Sequence, residues 1–395
     1  MKLSQNHKMV LDVARRNGVV SINDIVQRTP LSSATGSRLI NKLVDEDFLE
    51  EVTSKEVDFN GTKGRPQRFY KYNAKNHYVI GLDIGSTSIK GGIMNLNGVF
   101  VKEIELENNH LTSPEVCFKK INNIIDSLYN NSIVEKEKIL GVGVAFAGLI
   151  NKNDHIIKFS PTFNWHDLDP KSMLNQVDNL PMYYDNVTKL MALGEIYLGY
   201  GNKFSNFIFV NIGYGIGASI VTNGKLYYGS NGYSSEFGHV ISNPDSHFLC
   251  PCGQKGCLTT TSSGEYIKKR AIYRMHQGEY SILKNYKESD ISAKIIFQEA
   301  KNGDKLCKEV VDVAINNLAY RLLDIDKIIN PEAIILGGGI TLAEDFFFDK
   351  LRMKMNSISM NYPRPLRTKV LPRTFKHNAT LIGAGMLVAK NVINL

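Results

Sequence analysis

One local plan is written twice along this chain, and a chain that repeats a plan at this scale is built from two halves of one fold. Tyr78 to Asp83 reads as a buried strand, Gly85-Ser86-Thr87 as a tight turn, and Ser88 to Met94 as a second strand leading to an Asn97-Gly98 hairpin. The plan returns with Phe207 to Ile212 as a strand, Gly213 to Gly217 as a glycine turn, Ala218 to Thr222 as a strand and Asn223-Gly224 as a hairpin. A third glycine turn, Gly337-Gly338-Gly339, follows the strand Ala333 to Leu336 and precedes a helix. This order predicts a duplicated α/β domain with a cleft between its halves. There, N–H groups exposed by glycine would cradle phosphates and Asp83 would help hold magnesium.

At 395 residues the chain is too long for one core, and its 43 % apolar content is ample for two or three domains. No run of about 18 apolar residues occurs, and the start lacks a signal-like apolar stretch, so no membrane partner and a cytoplasmic location are expected. Three of the five cysteines cluster, leaving Cys117 and Cys307 unpaired, which suits a reducing compartment.

That cluster is the second strong signal. His239, Cys250, Cys252 and Cys257 fall within 19 positions, in S-E-F-G-H followed by C-P-C-G-Q-K-G-C. Three thiolates and an imidazole complete a closed tetrahedral zinc shell, with Gly253 and Gly256 letting the backbone fold tightly around the ion. A closed shell predicts structural zinc and no metal catalysis; the alternative is a set of unconnected buried thiols.

The N-terminal segment reads as three short helices and a hairpin. Met9, Val10, Val13 and Ala14 repeat at helical spacing up to Gly18; Ser21 to Asp24 resembles a capping box opening a helix through Arg28; a third helix starts at a Ser32 cap and carries Leu39, Ile40, Leu43 and Val44 on one face. Strands follow at Phe48 to Val52 and Arg68 to Tyr72, joined by a loop containing Lys63-Gly64-Arg65-Pro66. This predicts a winged helix-turn-helix over 1–75. Ser32, Ser33, Thr35, Ser37 and Arg38 would meet base edges in the major groove, while Lys63 and Arg65 would meet phosphates or the minor groove. Gly36 would be the point of close approach to DNA. Residues 1 to 78 carry 13 basic and 9 acidic side chains within a chain of formal charge +8, in keeping with a polyanion partner. The alternative is a three-helix protein-interaction module.

D-I-G-S-T at 83–87, N-I-G-Y-G-I-G at 211–217, S-E-F-G-H at 235–239, C-P-C-G-Q-K-G-C at 250–257 and L-G-G-G-I at 336–340 together resemble the ROK family of bacterial repressors and sugar kinases over nearly the whole chain. The resemblance implies a duplicated actin/hexokinase-like (ribonuclease H-like) α/β domain over 76–395. Its lobes would span about 76–185 with the C-terminal helix, and 186–380. It also implies the same four zinc ligands. Members with an N-terminal winged helix are typically sugar-responsive regulators, such as xylose and N-acetylglucosamine repressors. Operator DNA, a sugar effector, and a homodimer or dimer of dimers are therefore the expected partners. In family kinases an aspartate takes the proton from the attacking sugar hydroxyl, after an asparagine eight residues ahead of a Gly-Glu pair. Counting back from Gly194-Glu195 places Asn186 at the asparagine and Val187 at the aspartate.

Valine accepts no proton, so phosphotransfer is expected to be absent unless Asp185 substitutes for it. Tyr214 and Ser86 stand where the family's phosphate loops carry threonine and glycine, and ATP with magnesium is not expected as a cofactor. Thr259 replaces a sugar-gripping glutamate, and Ala147 replaces the proline before Gly148. Gly148, Asn186, Glu236 and His239 remain as candidate sugar ligands. As alternatives, Glu236 would pair with a surface lysine and Asn186 would be a turn residue. The apolar repeat Val310, Val311, Val313, Ala314, Leu318 and Leu322 serves a dimer interface or the core. The competing functions are an active sugar kinase that also binds DNA, and a redox sensor built on the three clustered thiols.

Overall fold

The computed structural model describes residues 3–52, 67–109 and 112–393. They form two compact units, Met1–Gly148 with His155–Leu198 and Asn378–Leu395, and Leu149–Asp154 with Gly199–His377.

The first unit begins with α1 (Gln5–Asn17), β1 (Val19–Ser21), α2 (Ile22–Arg28), α3 (Ser33–Asp45), β2 (Leu49–Val52) and β3 (Phe69–Tyr72). Local chemistry sets each boundary. Gly18 ends α1 at φ 74°, a conformation that favours glycine. The Ser21 hydroxyl accepts from the Asp24 amide while Asp24 accepts the Ser21 N–H at 2.7 Å, completing the expected capping box. The periodicity missed β1: with three residues it carries no pattern of its own, and it forms by pairing antiparallel with β3 in a sheet of order β1-β3-β2. Lys63 and Arg65 lie outside the described residues.

Next come β4 (Tyr78–Ile84), β5 (Ser88–Asn95), β6 (Phe100–Glu107), α4 (Pro114–Asn130) and β7 (Ile139–Phe146), then β8 (Leu149–Ile150), β9 (Ile157–Ser160), β10 (Trp165–Leu168), α5 (Pro170–Met173), β11 (Met182–Asn186) and α6 (Val187–Leu198). The main sheet runs β11-β7-β4-β5-β6, with the β4–β5–β6 meander antiparallel and β7 and β11 parallel to β4. Trp165 is buried, its ring stacked on Phe163 at 4.5 Å. The N-terminal helices are seated on this body. The Arg15 guanidinium lies 5.5 Å from the Tyr197 ring on α6, Phe48 stacks on His77 at 3.7 Å, and Lys8 donates to the Asn391 carbonyl at 2.9 Å.

The second unit contributes β12 (Phe207–Ile212), β13 (Ile216–Thr222), β14 (Lys225–Leu226), α7 (Leu258–Ser262), α8 (Gly264–His276), α9 (Ala293–Asn302), α10 (Lys305–Ile329), β15 (Ala333–Gly337), α11 (Glu344–Ser359) and β16 (Lys369–Pro372); α12 (Ala379–Ile393) returns to the first unit. Its sheet runs β14-β13-β12-β15-β16, again an antiparallel meander followed by two parallel strands. The repeated plan in the sequence is thus a repeated sheet. Of the apolar repeat on α10, Val310, Val311, Ala314, Leu318 and Leu322 are buried in the core of this same unit, and only Val313 is exposed. Core packing, and not self-association, accounts for that face.

Candidate functional site

His239 closes a single 3-10 turn, and the three cysteines follow on a loop bent at Gly253 and Gly256, where φ is 87° and 78°. A side chain at 256 would place its first carbon 2.3 Å from the Asn243 carbonyl oxygen, so glycine is required there. The loop is pinned by bridges Ile241–Cys257 and Leu249–Lys255. The four donor atoms lie within 4.8 Å of one another. Cys252 and Cys257 sulfurs are 3.6 Å apart, and Cys250 sulfur is 3.5 Å from His239 Nδ1. A tetrahedral ion with ordinary metal–sulfur and metal–nitrogen bonds has edges of about 3.6–3.8 Å. The cluster therefore fits a metal ion. Burial pushes the Cys250 and Cys257 thiols up and His239 down from their ordinary values. The imidazole is thus neutral and ready to ligate, while the thiols need a cation to ionise them. Because Nδ1 faces the sulfurs, Nε2 points the other way, 4.0 Å from a Glu236 carboxylate oxygen.

Asn186 ends β11 and caps α6. Its side-chain oxygen accepts from the Thr188 and Lys189 amides at 2.8 and 3.3 Å, and its Nδ2 donates to the Gly148 carbonyl at 2.8 Å. Two candidate sugar ligands are therefore joined to each other. Gly148 has φ 138°, and a side-chain carbon there would come within 2.6 Å of the Phe159 carbonyl. Val187 opens α6 immediately afterwards. The Asp185 carboxylate is buried and accepts the Asn186 N–H at 2.7 Å. Asp83 ends up beside Thr380 of α12, a partner that no sequence pattern announced. Burial lifts its carboxyl to about 6, partly relieved by the Thr380 hydroxyl and Lys90. Tyr214 is exposed, and Thr259 is buried against Gly238. Gly148 and Asn186 belong to the first unit, Glu236 and His239 to the second.

On α3, Ser32 accepts the Thr35 amide at 3.2 Å and donates to the Thr35 hydroxyl at 3.0 Å, so both serve as the cap. Ser33, Arg38 and Asn41 are exposed and Ser37 half-exposed, forming one polar face; Asn41, four residues after Ser37, was within reach of the same periodicity argument. Gly36 corrects the sequence reading. It is buried, and a methyl group there would touch Ile25 and Val26 of α2 at 3.9 Å, ordinary contact, so it does not face outward. Gly36→Ala is therefore expected to stabilise the chain by about 1 kcal/mol through helix propensity, read as a rise in thermal midpoint with unchanged DNA affinity.

Two sheets of one order, each an antiparallel meander extended by two parallel strands, define the actin-like kinase class of α/β protein. The ROK family model matches residues 79–391, and the chain belongs to the ROK family. A glucokinase of Halalkalibacterium halodurans is 28 % identical over 316 residues, covering 79 % of this chain and 95 % of that protein. A xylose repressor of Caldicellulosiruptor bescii is 26 % identical over 393 residues, 98 % of this chain and 96 % of the repressor. Among solved structures, a ROK family transcriptional regulator, a homolog of the E. coli MLC protein, aligns with TM-score 0.81 at 22 % identity over 99 % of this chain and 96 % of its own. No helix among the described residues is long and apolar enough to cross a membrane.

Proposed function

We propose that this protein is a sugar-responsive transcriptional repressor whose kinase-like body binds an effector without phosphorylating it. The observation that carries this reading is the polar face of α3, Ser33, Ser37, Arg38 and Asn41, presented by a capped helix that α1 and α2 support from behind. Residues 1–75 then act as a winged helix-turn-helix and 76–395 as the effector domain. The similarity to a xylose repressor extends over 98 % of this chain, against 79 % for the glucokinase, and the family model begins only at residue 79.

In the effector domain, His239 Nδ1, Cys250, Cys252 and Cys257 would hold a structural zinc ion. With Nδ1 so engaged, His239 Nε2 is a donor, and it and the Glu236 carboxylate meet sugar hydroxyls. Gly148 and Asn186 supply backbone and amide contacts. Val187 offers no base, and the Asp185 carboxylate is buried and accepts the Asn186 N–H. The absent base alone lowers phosphotransfer by about 10²- to 10⁴-fold.

The test combines two assays on the purified full chain. In a gel shift with DNA upstream of neighbouring carbohydrate-transport genes, the chain binds one fragment specifically, and a pentose or hexose from a panel changes the affinity. Arg38→Ala weakens binding by about 1–3 kcal/mol, roughly 5- to 150-fold. With ATP and the same panel, no turnover accumulates. Specific binding that survives Arg38→Ala undiminished, or turnover at ordinary kinase rates, overturns the reading.

A further inference from the structure

The hairpin of β9 and β10 and the start of α4 border a cavity of about 570 Å³ in the first unit, inside the range of roughly 300–1,000 Å³ usual for small-ligand sites. Two elements fix its shape. Trp165 on β10 pairs with Ser160 on β9, and its ring lies 5.9 Å from that of Phe118 on α4. Asn122 of α4 holds the segment that follows β10, donating to the Met173 carbonyl and accepting the Asn175 N–H, both at 3.0 Å. The cavity also adjoins the candidate sugar ligands of this unit. Ser160 backs Gly148 so closely that a side-chain carbon at 148 would come 3.0 Å from its Cα, and Pro161, the next residue, lines the cavity. The Gly148 carbonyl in turn accepts from the Asn186 amide.

The lining narrows the chemistry of what the cavity can hold. Its described residues include no Lys, Arg, Asp or Glu, so nothing among them would neutralise a phosphate or carboxylate. Phe163 and Trp165 stack on each other with an interplanar angle of 17° and are only 5 % and 4 % exposed, so they present no open aromatic face to a flat ring. Beside the apolar Pro161 stand the Thr162 hydroxyl, the Asn164 amide and the His166 imidazole, on residues that are half-buried or exposed. The Trp165 indole N–H is buried and has no acceptor among the described residues. Neutral donors and acceptors set against a CH-rich wall match a saturated ring that carries hydroxyls on its rim. We propose that this cavity is a second subsite for the effector, receiving a neutral sugar ring linked to the one at Gly148 and Asn186, so that the cognate effector is a disaccharide or longer glycoside. The proposal rests on the sugar-effector reading and names the ligand class for it. A glycosidic bond delivers the second ring at a short fixed distance, so its contacts add affinity without a second loss of translational freedom.

Trp165 is the chain's only tryptophan, so its fluorescence reports directly on this cavity. The full chain is titrated with xylobiose, cellobiose and maltose, and with xylose and glucose. At least one disaccharide is expected to change Trp165 emission saturably and to bind about tenfold or more tighter than its own monosaccharide. His166→Ala and Thr162→Val each bring that disaccharide's affinity down toward the monosaccharide's. Asn186→Asp, which keeps an acceptor for the α6 cap but loses the amide donor, weakens both ligands. Ile133→Asp, on an 81 % exposed side chain of the same unit, changes neither. Unchanged circular dichroism and thermal midpoints show that the variants are folded. Disaccharides that bind no better than their monosaccharides overturn the proposal, as does a disaccharide advantage that survives both cavity variants. Either result leaves the sugar-effector reading standing, because a monosaccharide that alters operator affinity in the gel shift supports it independently; if no sugar of either size alters that affinity, both fall.

Discussion

Cys257→Ser is expected to abolish stoichiometric metal binding and to lower the thermal midpoint more than any other single polar substitution in the second unit. Cys257 is fully buried, its sulfur lies 3.6 Å from that of Cys252, and its backbone bridges to Ile241, so the residue that would ligate an ion also holds the loop. A serine hydroxyl stays protonated and is a poor ligand for a soft-metal site. Isolated zinc fingers gain about 10–16 kcal/mol from their ion at neutral pH. Loss of even a third of that, about 4 kcal/mol, approaches the whole stability of a marginal domain, about 5 kcal/mol. Elemental analysis should find one metal per wild-type chain and none in the variant, and calorimetry should show the second unit melting early. A variant that retains metal and melts like wild type removes the metal-site assignment.

Gly383→Ala is expected to be nearly as damaging in the first unit. A methyl carbon at 383 would lie 1.8 Å from the Leu190 carbonyl oxygen, where no side chain can rotate away. The same closeness recurs at Gly143, 1.9 Å from the Ala384 carbonyl, and at Gly81, 2.4 Å from that of Leu381, so α12 lies with its backbone directly against α6, β4 and β7. Relief requires α12 to move bodily off the sheet, a cost of about 3 kcal/mol or more. The thermal midpoint should fall by roughly 6–12 °C at about 2–4 °C per kcal/mol. Gly339→Ala is the control, since a carbon there meets nothing within 4 Å. Equal midpoints for the two variants would contradict the packing described.

Much of this was legible in the residues because the signals are local. A capping box needs only four consecutive residues, and Ser21 and Asp24 behave as their spacing implied. The His/Cys cluster spans only 19 positions, so one loop is enough to bring its four donors together. The duplicated sheet was visible because both copies open with the same strand, glycine turn and hairpin. Gly36 misled because its helix was read without its neighbours: the pattern around it looks like a contact surface, yet the position faces α2. The apolar repeat on α10 was legible as a buried face, but its burying partner was not.

By itself the sequence determined where turns, caps and the His/Cys cluster occur, and which strands repeat. Each turn, cap, cluster and copy of the repeated plan is read from residue types within about twenty positions. Only the tertiary structure decided that Asn186 is bonded to Gly148, that Asp83 meets Thr380 nearly 300 positions away, and that glycines at 81, 143 and 383 bring α12 into backbone contact with its neighbours. Those pairings are chosen by the packing of many elements at once, and close packing leaves no trace in the spacing of residues along the chain.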